Sequence, residues 1–540
     1  MILEYRYKFC RWAVALLVFG CTYPAIGQSI SKPRNSMVSK TVTAPISDPA
    51  QLNTSNSIAV VQYLDGLGRG SIMAVKSVTP AGKDLVSMQS FDCAGTVTRQ
   101  WLPAPVPSSA SAPDADNVMA QAKSFYADQM PYASVYTTKT ADNSGEDVKN
   151  IKPGAFRYNG DKAQKAEIIC SDPSNPLLYV RIYEVEGDRL VVSSDPLDIF
   201  NCRVTRYTDE DNQVTLVFED LDGKILLQRK VNANVNHDTY YAYDKKGQLR
   251  FVLSPEASDK ITAEGSYSLA GISGPNDPNS PLAQYGYAYN YDERGNCIAK
   301  KLPGRDWVKM IYDKAGRLVF SQDGNQRREN KWTFIKYDPL GRPVQSGVNV
   351  IYDEQAMREA YRNAAMQETY VTGSGYTANS PMGTTIEMLT QNFYDSYDYL
   401  NLPEYASIKG ILGYSQISGF DPKFENLVNG TDLSTRNAIT GTAVAMLDGS
   451  STLVTSYYYD DKGRVVQSHS NNHLGGYDHD YFHYNFSGSV LNKRHVHKTP
   501  YVSSEITENY RMVYDNAGRL TLLAHRLNTQ AEVAMAAFTY

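Results

Sequence analysis

Histidine is the residue type in this sequence whose clustering could support metal chemistry. Six of the eight histidines fall in one window, at His469, His473, His479, His483, His495 and His497. His495 and His497 would share one face of a strand, and Asp478 and Asp480 could add carboxylates to a zinc site. The alternative is that these residues occupy exposed strand and loop positions that do not converge in space. We favour the alternative, because no HExxH or CxxC motif completes a site, and we predict no metal and no cofactor.

Other signatures of catalysis are missing from the sequence. It contains no G-x-S-x-G nucleophile elbow, no P-loop and no dinucleotide-binding fingerprint after a strand. Aspartates are plentiful, but their spacing gives no reason for two carboxylates to face one substrate. We therefore predict a protein that is not an enzyme, with a metallohydrolase around residues 473–497 as the enzymatic alternative.

A short unit that recurs along the chain determines the fold prediction. Asp at the start of a type I turn accepts hydrogen bonds from the turn backbone, and Gly at the fourth position adopts a positive φ at low cost. Such a unit predicts a strand, a tight turn and a returning strand, which is a β-hairpin. Looser copies begin at Asp65, Phe91, Asp220 and Tyr484. Six clear copies follow a tyrosine and supply the predicted structural turn residues: Asp244, Gly247, Asp292, Gly295, Asp313, Gly316, Asp338, Gly341, Asp460, Gly463, Asp515 and Gly518.

Arginine follows the glycine in four of these copies, at Arg317, Arg342, Arg464 and Arg519. These side chains could bind phosphate or sugar acids. In a repeat, however, such an arginine more often pairs with the neighbouring aspartate or lies across a tyrosine ring. We favour this structural interpretation.

Composition agrees with a protein made of many strands. The chain has 40 Tyr against 16 Phe and 4 Trp, and tyrosine favours half-buried pleated surfaces. A charged fraction of 21% and a net charge of −5 argue against a nucleic-acid partner. Exposed Tyr, together with Trp307 and Trp332 beside the repeats, could stack on sugar rings, which keeps glycan binding as an alternative.

The first residues predict export. Arg6, Lys8 and Arg11 precede a short apolar run, and small residues at Ala25 and Gly27 are typical of a signal-peptidase site. The run is too short to span a bilayer, and no other segment of the mature chain is apolar enough to do so. We predict a signal peptide over 1–27 and a secreted or cell-surface protein, with lipoprotein anchoring at Cys21 as the alternative.

Four further cysteines are scattered through the mature chain, and they form neither a disulfide framework nor a metal motif. A bridge between Cys170 and Cys202 and buried free thiols both remain open.

The remaining chain divides by composition and repeat content. A Ser-, Thr- and Pro-rich stretch predicts a linker over 28–58, followed by an N-terminal β-rich domain over 59–200. A first repeat block covers 201–350 and a second covers 416–540. Between them, 351–415 reads as a helical and loop insertion, with a helix over 353–366 capped by Asp353. A shorter helix is predicted near 117–126.

The Tyr-Asp-x-x-Gly-Arg units resemble the YD repeats of bacterial Rhs proteins and their teneurin relatives. The segments Thr239–Pro255, Lys301–Trp307, Tyr337–Pro343 and Asn472–Tyr477 are similar to segments of exported members. Residues 59–200 resemble the uncharacterised domain that precedes such repeats. The resemblance implies a mainly β fold in which a strip of hairpins coils toward a hollow shell. The family's distal core and variable effector have no counterpart here, so we expect a fragment or a short member.

These observations predict an exported, non-enzymatic repeat protein that forms part of a β-shell. The role would be toxin encapsulation and delivery or a cell-contact scaffold. Its expected partner is a C-terminal effector or a downstream repeat segment. The alternative is a surface adhesin that binds glycans or a partner protein.

Overall fold

The computed structural model describes most of the chain between residues 36 and 539. The predicted signal peptide, Cys21 and Cys170 lie outside the described residues, so export, lipidation and the disulfide stay predictions. The described residues are 36–43, 52–54, 56–91, 95, 97–109, 112–126, 134–141, 146–153, 162–169, 176–196, 202–233, 235–261, 265–270, 277, 279–377, 386–428, 431–432 and 434–539.

Strands dominate these residues, as predicted. The strands up to residue 200 are β1 (Ser36–Val42), β2 (Ser57–Leu64), β3 (Gly70–Val75), β4 (Asp84–Phe91), β5 (Val97–Val106), β6 (Ser134–Ala141), β7 (Glu146–Ile151), β8 (Gln164–Ile169), β9 (Arg181–Glu186) and β10 (Arg189–Pro196). Those of the next 150 residues are β11 (Cys202–Thr208), β12 (Val214–Asp220), β13 (Ile225–Asn232), β14 (Val235–Tyr243), β15 (Leu249–Leu253), β16 (Gly265–Ser268), β17 (Gly286–Tyr291), β18 (Cys297–Lys301), β19 (Val308–Tyr312), β20 (Leu318–Gln322), β21 (Lys331–Tyr337) and β22 (Pro343–Val350).

The remaining described strands lie between residues 370 and 537, and six α-helices and three short 3-10 helices lie among the described strands. The strands are β23 (Tyr370–Val371), β24 (Gly375–Tyr376), β25 (Ile386–Tyr394), β26 (Leu427–Val428), β27 (Thr431–Asp432), β28 (Ile439–Ala445), β29 (Thr452–Tyr459), β30 (Val465–Asn471), β31 (Tyr477–Tyr484), β32 (Val490–Lys498), β33 (Ile506–Tyr514), β34 (Leu520–Leu527) and β35 (Val533–Ala537). The α-helices are α1 (Ala115–Phe125), α2 (Pro255–Lys260), α3 (Pro281–Tyr285), α4 (Gly324–Arg328), α5 (Glu354–Asn363) and α6 (Lys409–Leu412).

One antiparallel sheet contains 28 of the described strands. Within it each strand pairs with the next main-sheet strand along the chain, so the sheet is a long meander of hairpins. The same holds from β18 to β35. β9, β10 and β16 form a separate three-stranded sheet, whose hydrophobic residues join the core of the neighbouring hairpins.

The meander curls round on itself. Arg519, after β33, donates a hydrogen bond from Nη2 to the carbonyl oxygen of Val78, after β3, at 3.3 Å. The segments 76–79 and 515–519 also line one small cleft. A flat strip of 28 strands, at about 4.8 Å per strand, would be about 130 Å wide. A hydrogen bond between residues beside β3 and β33 therefore requires a strongly curled strip.

Helices and loops cover patches of this strip with apolar residues. Val118 and Ala122 of α1 are fully buried against the hairpins of β2 to β5. Tyr361 of α5 is fully buried and its ring meets Phe320 of β20, edge to face, at 5.4 Å. Asp353 caps α5 by accepting from the backbone N–H of Ala356. The two helices predicted from the sequence are therefore confirmed, each to within a few residues of its predicted ends.

Two boundaries of the predicted domain division differ from the structure. Strand β1 lies inside the predicted linker 28–58 and pairs along its whole length with β2. Strand β25 lies inside the predicted insertion 351–415, yet it pairs with both β22 and β28 and joins the two repeat blocks into one sheet. Both were missed because neither segment carries the Asp-x-x-Gly turn from which hairpins were inferred.

Candidate functional site

The six predicted Asp–Gly pairs all form one kind of turn. At Asp460, carboxylate Oδ1 accepts hydrogen bonds from the backbone N–H groups of Lys462 and Arg464, each at 2.9 Å. Gly463 follows with φ +73°, and the strand register shifts by one residue beside it. This is a type I turn with a bulge at the left-handed glycine. The same two carboxylate bonds and a positive glycine φ recur at Asp244, Asp292, Asp313, Asp338 and Asp515.

The arginine after the glycine ties one hairpin to the next. Arg464 donates from Nε to Oδ2 of Asp460 at 2.6 Å, and its guanidinium lies 4.5 Å from the centre of the Tyr484 ring. We call this arrangement the Asp–Arg–Tyr tie: aspartate and arginine of one turn, aromatic ring of a following hairpin. Arg317 with Tyr337 and Arg342 with Tyr394 form the same tie.

Each of the four predicted arginines binds its own aspartate, including Arg519 with Asp515 at 2.7 Å. The prediction that they pair with a neighbouring Asp or lie across a Tyr ring is therefore confirmed. The looser copy at Asp65 matches the tie with a different ring, because Arg69 lies 4.3 Å from the centre of Phe91.

The tyrosine of the tie also forms a hydrogen bond through its hydroxyl. Tyr337 donates to the carbonyl oxygen of Leu318 at 2.8 Å, and Tyr484 donates to that of Val465 at 2.7 Å. In both cases the two residues are 19 positions apart and the acceptor directly follows the tie's arginine. The ring contact and the hydroxyl bond therefore both join a turn's arginine strand to the tyrosine that ends a strand of the following hairpin.

Burial affects the protonation of these rings. Desolvation raises the pKa of Tyr337 and of Tyr484, and the positive charges of Arg317 and Arg464 partly oppose that rise. Both hydroxyls therefore stay protonated and available as donors across the physiological pH range.

A second carboxylate, Asp395, joins the tie of Arg342 with Tyr394 and was not predicted from the sequence. Arg342 donates from its two Nη atoms to the two carboxylate oxygens of Asp395, at 3.0 and 2.6 Å, while lying on the ring of Tyr394. These hydrogen bonds raise the pKa of Arg342 and lower that of Asp395. The Tyr-Asp dipeptide was a visible signal, but no glycine follows it at the expected position.

The tie at Asp313 also holds the helical insertion. Asp313 is fully buried, and besides two bonds from Arg317 its carboxylate accepts the backbone N–H of Met366 at 3.1 Å. Arg317 in turn donates to the carbonyl oxygen of Met366 at 3.1 Å. One ion pair therefore connects a turn to the chain that follows α5.

The histidine window is split by the sheet into two faces. On one face His469 and His479 stack with ring centres 3.9 Å apart, and His469 Nδ1 lies 2.8 Å from the carbonyl oxygen of Gly413. Burial lowers the pKa of His469 to about 4 and also lowers that of His479. His483 contacts Asp421 at 2.7 Å, and His473 lies exposed in the turn before β31.

On the other face His495 and His497 do converge with carboxylates, contrary to the favoured sequence interpretation. Asp478 lies directly across from His497 in the paired strands β31 and β32, and Asp480 lies across from His495. The distances from His497 Nδ1 and His495 Nε2 to Asp478 Oδ1 are 2.5 and 3.7 Å. Sequence alone placed the two imidazoles on one face but did not establish which strand residues lie opposite them.

Both tryptophans considered for sugar stacking pack against the protein. Trp332 is only 1% exposed, and Trp307 is partly buried against a hydrophobic core cluster. The expectation that they offer open stacking surfaces is therefore wrong for Trp332. In the part of the chain that the structure describes, no helix is both long enough and apolar enough to cross a membrane.

Comparisons with known proteins give a family match over part of the chain and several structural likenesses. A family model described as a domain of unknown function (DUF6443) matches residues 36–161. No curated protein matches the sequence. A crystal structure of TcdB2-TccC3 is similar at 11% identity with a TM-score of 0.43, covering 91% of this chain and 22% of that one.

Two further solved structures are similar at the same level. A crystal structure of TcdB2-TccC3 without its hypervariable C-terminal region has 12% identity and a TM-score of 0.37, covering 92% of this chain and 27% of that one. A structure of the Photorhabdus luminescens Tc holotoxin pore has 12% identity and a TM-score of 0.36, with 92% and 26% covered. The chain thus spans about a quarter of the length of the chains to which it is similar.

Proposed function

We propose that this chain is an exported, non-enzymatic repeat protein that forms part of a β-shell. The observation that carries the proposal is the curled meander, in which a turn after β33 bonds to the chain after β3. A strip of hairpins that returns to its own start partly surrounds a space. Such a wall suits the enclosure of another polypeptide, as in toxin encapsulation, or a rigid cell-contact scaffold.

The Asp–Arg–Tyr ties support a structural role for the repeated residues. Each tie uses the charged groups of a turn to hold a neighbouring hairpin through a ring contact and a hydroxyl bond. Arginine and aspartate that are bonded to each other are poor candidates for binding phosphate or for acid–base catalysis. The resemblance of the units to YD repeats, noted from the sequence, agrees with this role.

The mass of the mature polypeptide from the producing cell tests the proposal. A mass well above that of this chain, or a discrete C-terminal fragment held without a covalent bond, would support encapsulation. A mass matching residues 28–540, with nothing else retained, would rule out an enclosed effector and leave the scaffold. An N-terminus at Gln28, or a lipidated Cys21, would establish export by the corresponding route. An intact Met1 would contradict export.

A surface adhesin is the second candidate, and it rests on exposed tyrosines. Tyr352 and Tyr501 are each 83% exposed, at the ends of β22 and β32, and tyrosine is a favoured contact residue for partners. Binding of the purified chain to a glycan or cell-surface array, lost in Y352A or Y501A, would favour the adhesin over the shell.

A further inference from the structure

Two histidines and two aspartates share one face of the β31–β32 hairpin. The turn at Asn485 and Gly488 sets the register of this hairpin, because Asn485 accepts the backbone N–H of Ser489 and Gly488 has φ +92°. That register places Asp478 opposite His497 and Asp480 opposite His495. Residues directly opposite in an antiparallel pair are close neighbours on the same face.

Three of these side chains bring potential ligand atoms close together. The ligand atoms of Asp478, His495 and His497 all lie within 4.8 Å of one another. In a tetrahedral zinc site with bonds of about 2.0 to 2.1 Å, ligand atoms lie about 3.3 Å apart. The distances from Asp478 Oδ1 to the two imidazoles, 2.5 and 3.7 Å, lie on either side of that value. Small side-chain rotations would equalise them.

The fourth side chain orients one of the imidazoles. His495 Nδ1 lies 3.0 Å from Oδ1 of Asp480, while its Nε2 is directed toward Asp478. Metal-binding histidines commonly donate their second ring N–H to a carboxylate in this way. Asp480 is held in turn by the ammonium group of Lys493, at 3.0 Å.

The surroundings favour a cation and leave room for a further ligand. Glu508 of β33 lies opposite His495 and adds a third carboxylate to this face. The side chains of His495, His497 and Asp478 are 28 to 29% exposed, so water can reach the site. Two imidazoles and one carboxylate with a position open to water form a donor set typical of Zn²⁺.

We propose that His495, His497 and Asp478 bind one zinc ion, with water as the remaining ligand. Nε2 of His495, Nδ1 of His497 and a carboxylate oxygen of Asp478 are the protein ligands, and Asp480 positions His495. The ion would link β31 to β32 beyond their backbone hydrogen bonds. The site does not depend on the proposed shell function, and its test is independent of cargo or export.

Titration of the EDTA-treated full chain with Zn²⁺ by calorimetry tests the site, with Co²⁺ absorbance as a second readout. We expect one ion per chain, a Co²⁺ spectrum of tetrahedral character and a higher melting temperature with Zn²⁺. H495Q, H497Q and D478N should each weaken binding at least about 100-fold, because each removes one of three protein ligands. D480N retains all three and should weaken binding about 10- to 100-fold.

H473Q is the matched control, since His473 lies in the same histidine window but in an exposed turn. It should bind zinc as the unmodified chain does. Circular dichroism in EDTA identifies any variant that fails to fold, and D480N, which keeps every ligand, then still tests the site. Absence of one-to-one binding in the unmodified chain, or equal binding by H497Q and H473Q, would overturn the proposal.

Discussion

The hairpins of β14 to β18 and those of β19 to β34 contain the same turn but connect to their neighbours differently. At Asp244 and Asp292 the residue after the glycine is Gln248 or Asn296, and both aspartates still accept two backbone N–H groups. Asn296 even copies the side-chain bond to Oδ2, at 2.9 Å. In three of the later turns an arginine occupies this position and reaches a ring on the next hairpin, at Arg317, Arg342 and Arg464.

The difference separates two functions of the repeated unit. Aspartate and glycine suffice to close a turn, because they act on the backbone of their own hairpin. Arginine and tyrosine act between hairpins, and a neutral residue at the arginine position leaves the turn intact without the tie. The later region should therefore resist local unfolding more strongly than the earlier one. Single substitutions can test the turn and the tie separately.

The largest expected effect is the loss of the buried carboxylate at Asp313. D313A removes the carboxylate partner of the Arg317 guanidinium and leaves three backbone N–H groups without their side-chain acceptor. Breaking such a buried pair from one side costs about 3 to 5 kcal/mol. Amide hydrogen exchange in β19 and β20 should report this loss as local opening.

D244A is the matched variant for the earlier region. Asp244 accepts two backbone N–H groups, and the nearest cation, Arg250, stands 4.0 Å away. We expect a loss of about 1 to 3 kcal/mol, the cost of unsatisfied turn groups. Equal losses in D313A and D244A would show that the arginine tie adds nothing to the turn.

Acidification should also distinguish the regions. Burial lowers the pKa of His469 to about 4, whereas an unfolded histidine titrates near 6.5. Between these values only the opened state takes up the proton, so stability falls as the pH drops from about 6.5 toward 4. The slope is about 1.4 kcal/mol per pH unit for one histidine, and the stacked His479 changes in the same direction.

Hydrogen exchange at pH 7.5, 6.0 and 5.0 measures this effect, after correction for the intrinsic pH dependence of exchange. β30 and β31 should lose protection, while β15 and β17 of the earlier region, which contain no histidine, should not. H469Q should weaken the pH dependence of this protection, because the variant has no buried imidazole at position 469 that could be protonated. A uniform loss across both regions would locate the titrating groups elsewhere.

The sequence predicted the turns well because each one depends on residues that lie within four positions of its aspartate. Asp460 and Gly463 determine their turn through contacts within the turn itself. The sequence also predicted that Arg464 lies across a tyrosine ring. The partner Tyr484 is set by the spacing between hairpins, which the repeat implied without naming the contact. Strand β1 carries no turn signal of its own. It forms by pairing its backbone with the edge of β2.

The candidate metal site shows the same limit. His495 and His497 alternate along one strand, so their common face follows from the sequence. Their convergence with Asp478 depends on the register of β31 against β32, which the weak turn at Asn485 sets. A register counted outward from that turn would have found the pair, but the turn was one of the looser copies.

A smaller effect is expected from the ring contact itself. A double-mutant cycle of R464A and Y484L should give a coupling energy of about 1 to 2 kcal/mol, since the guanidinium is mostly buried at 23% exposure. The corresponding cycle of Q248A and Y291L, with a neutral side chain in place of the arginine, should couple more weakly. Equal coupling energies in the two cycles would show that the tie depends on ordinary packing and not on the charge of the arginine.

The smallest effect should be the same in both regions. Tyr243 donates its hydroxyl hydrogen to the carbonyl oxygen of Ile225 at 3.1 Å in the earlier region, as Tyr484 does to Val465 in the later one. Y243F and Y484F each remove one such bond and should cost about 0.5 to 1.5 kcal/mol, measured by exchange of the adjoining strands. This bond does not involve the arginine. Similar losses of stability in the two variants would therefore show that the hydroxyl bond contributes independently of the arginine contact. A much larger loss in Y484F would mean that the hydroxyl bond and the guanidinium contact act as a unit, so that the later hairpins are held by one cooperative interaction.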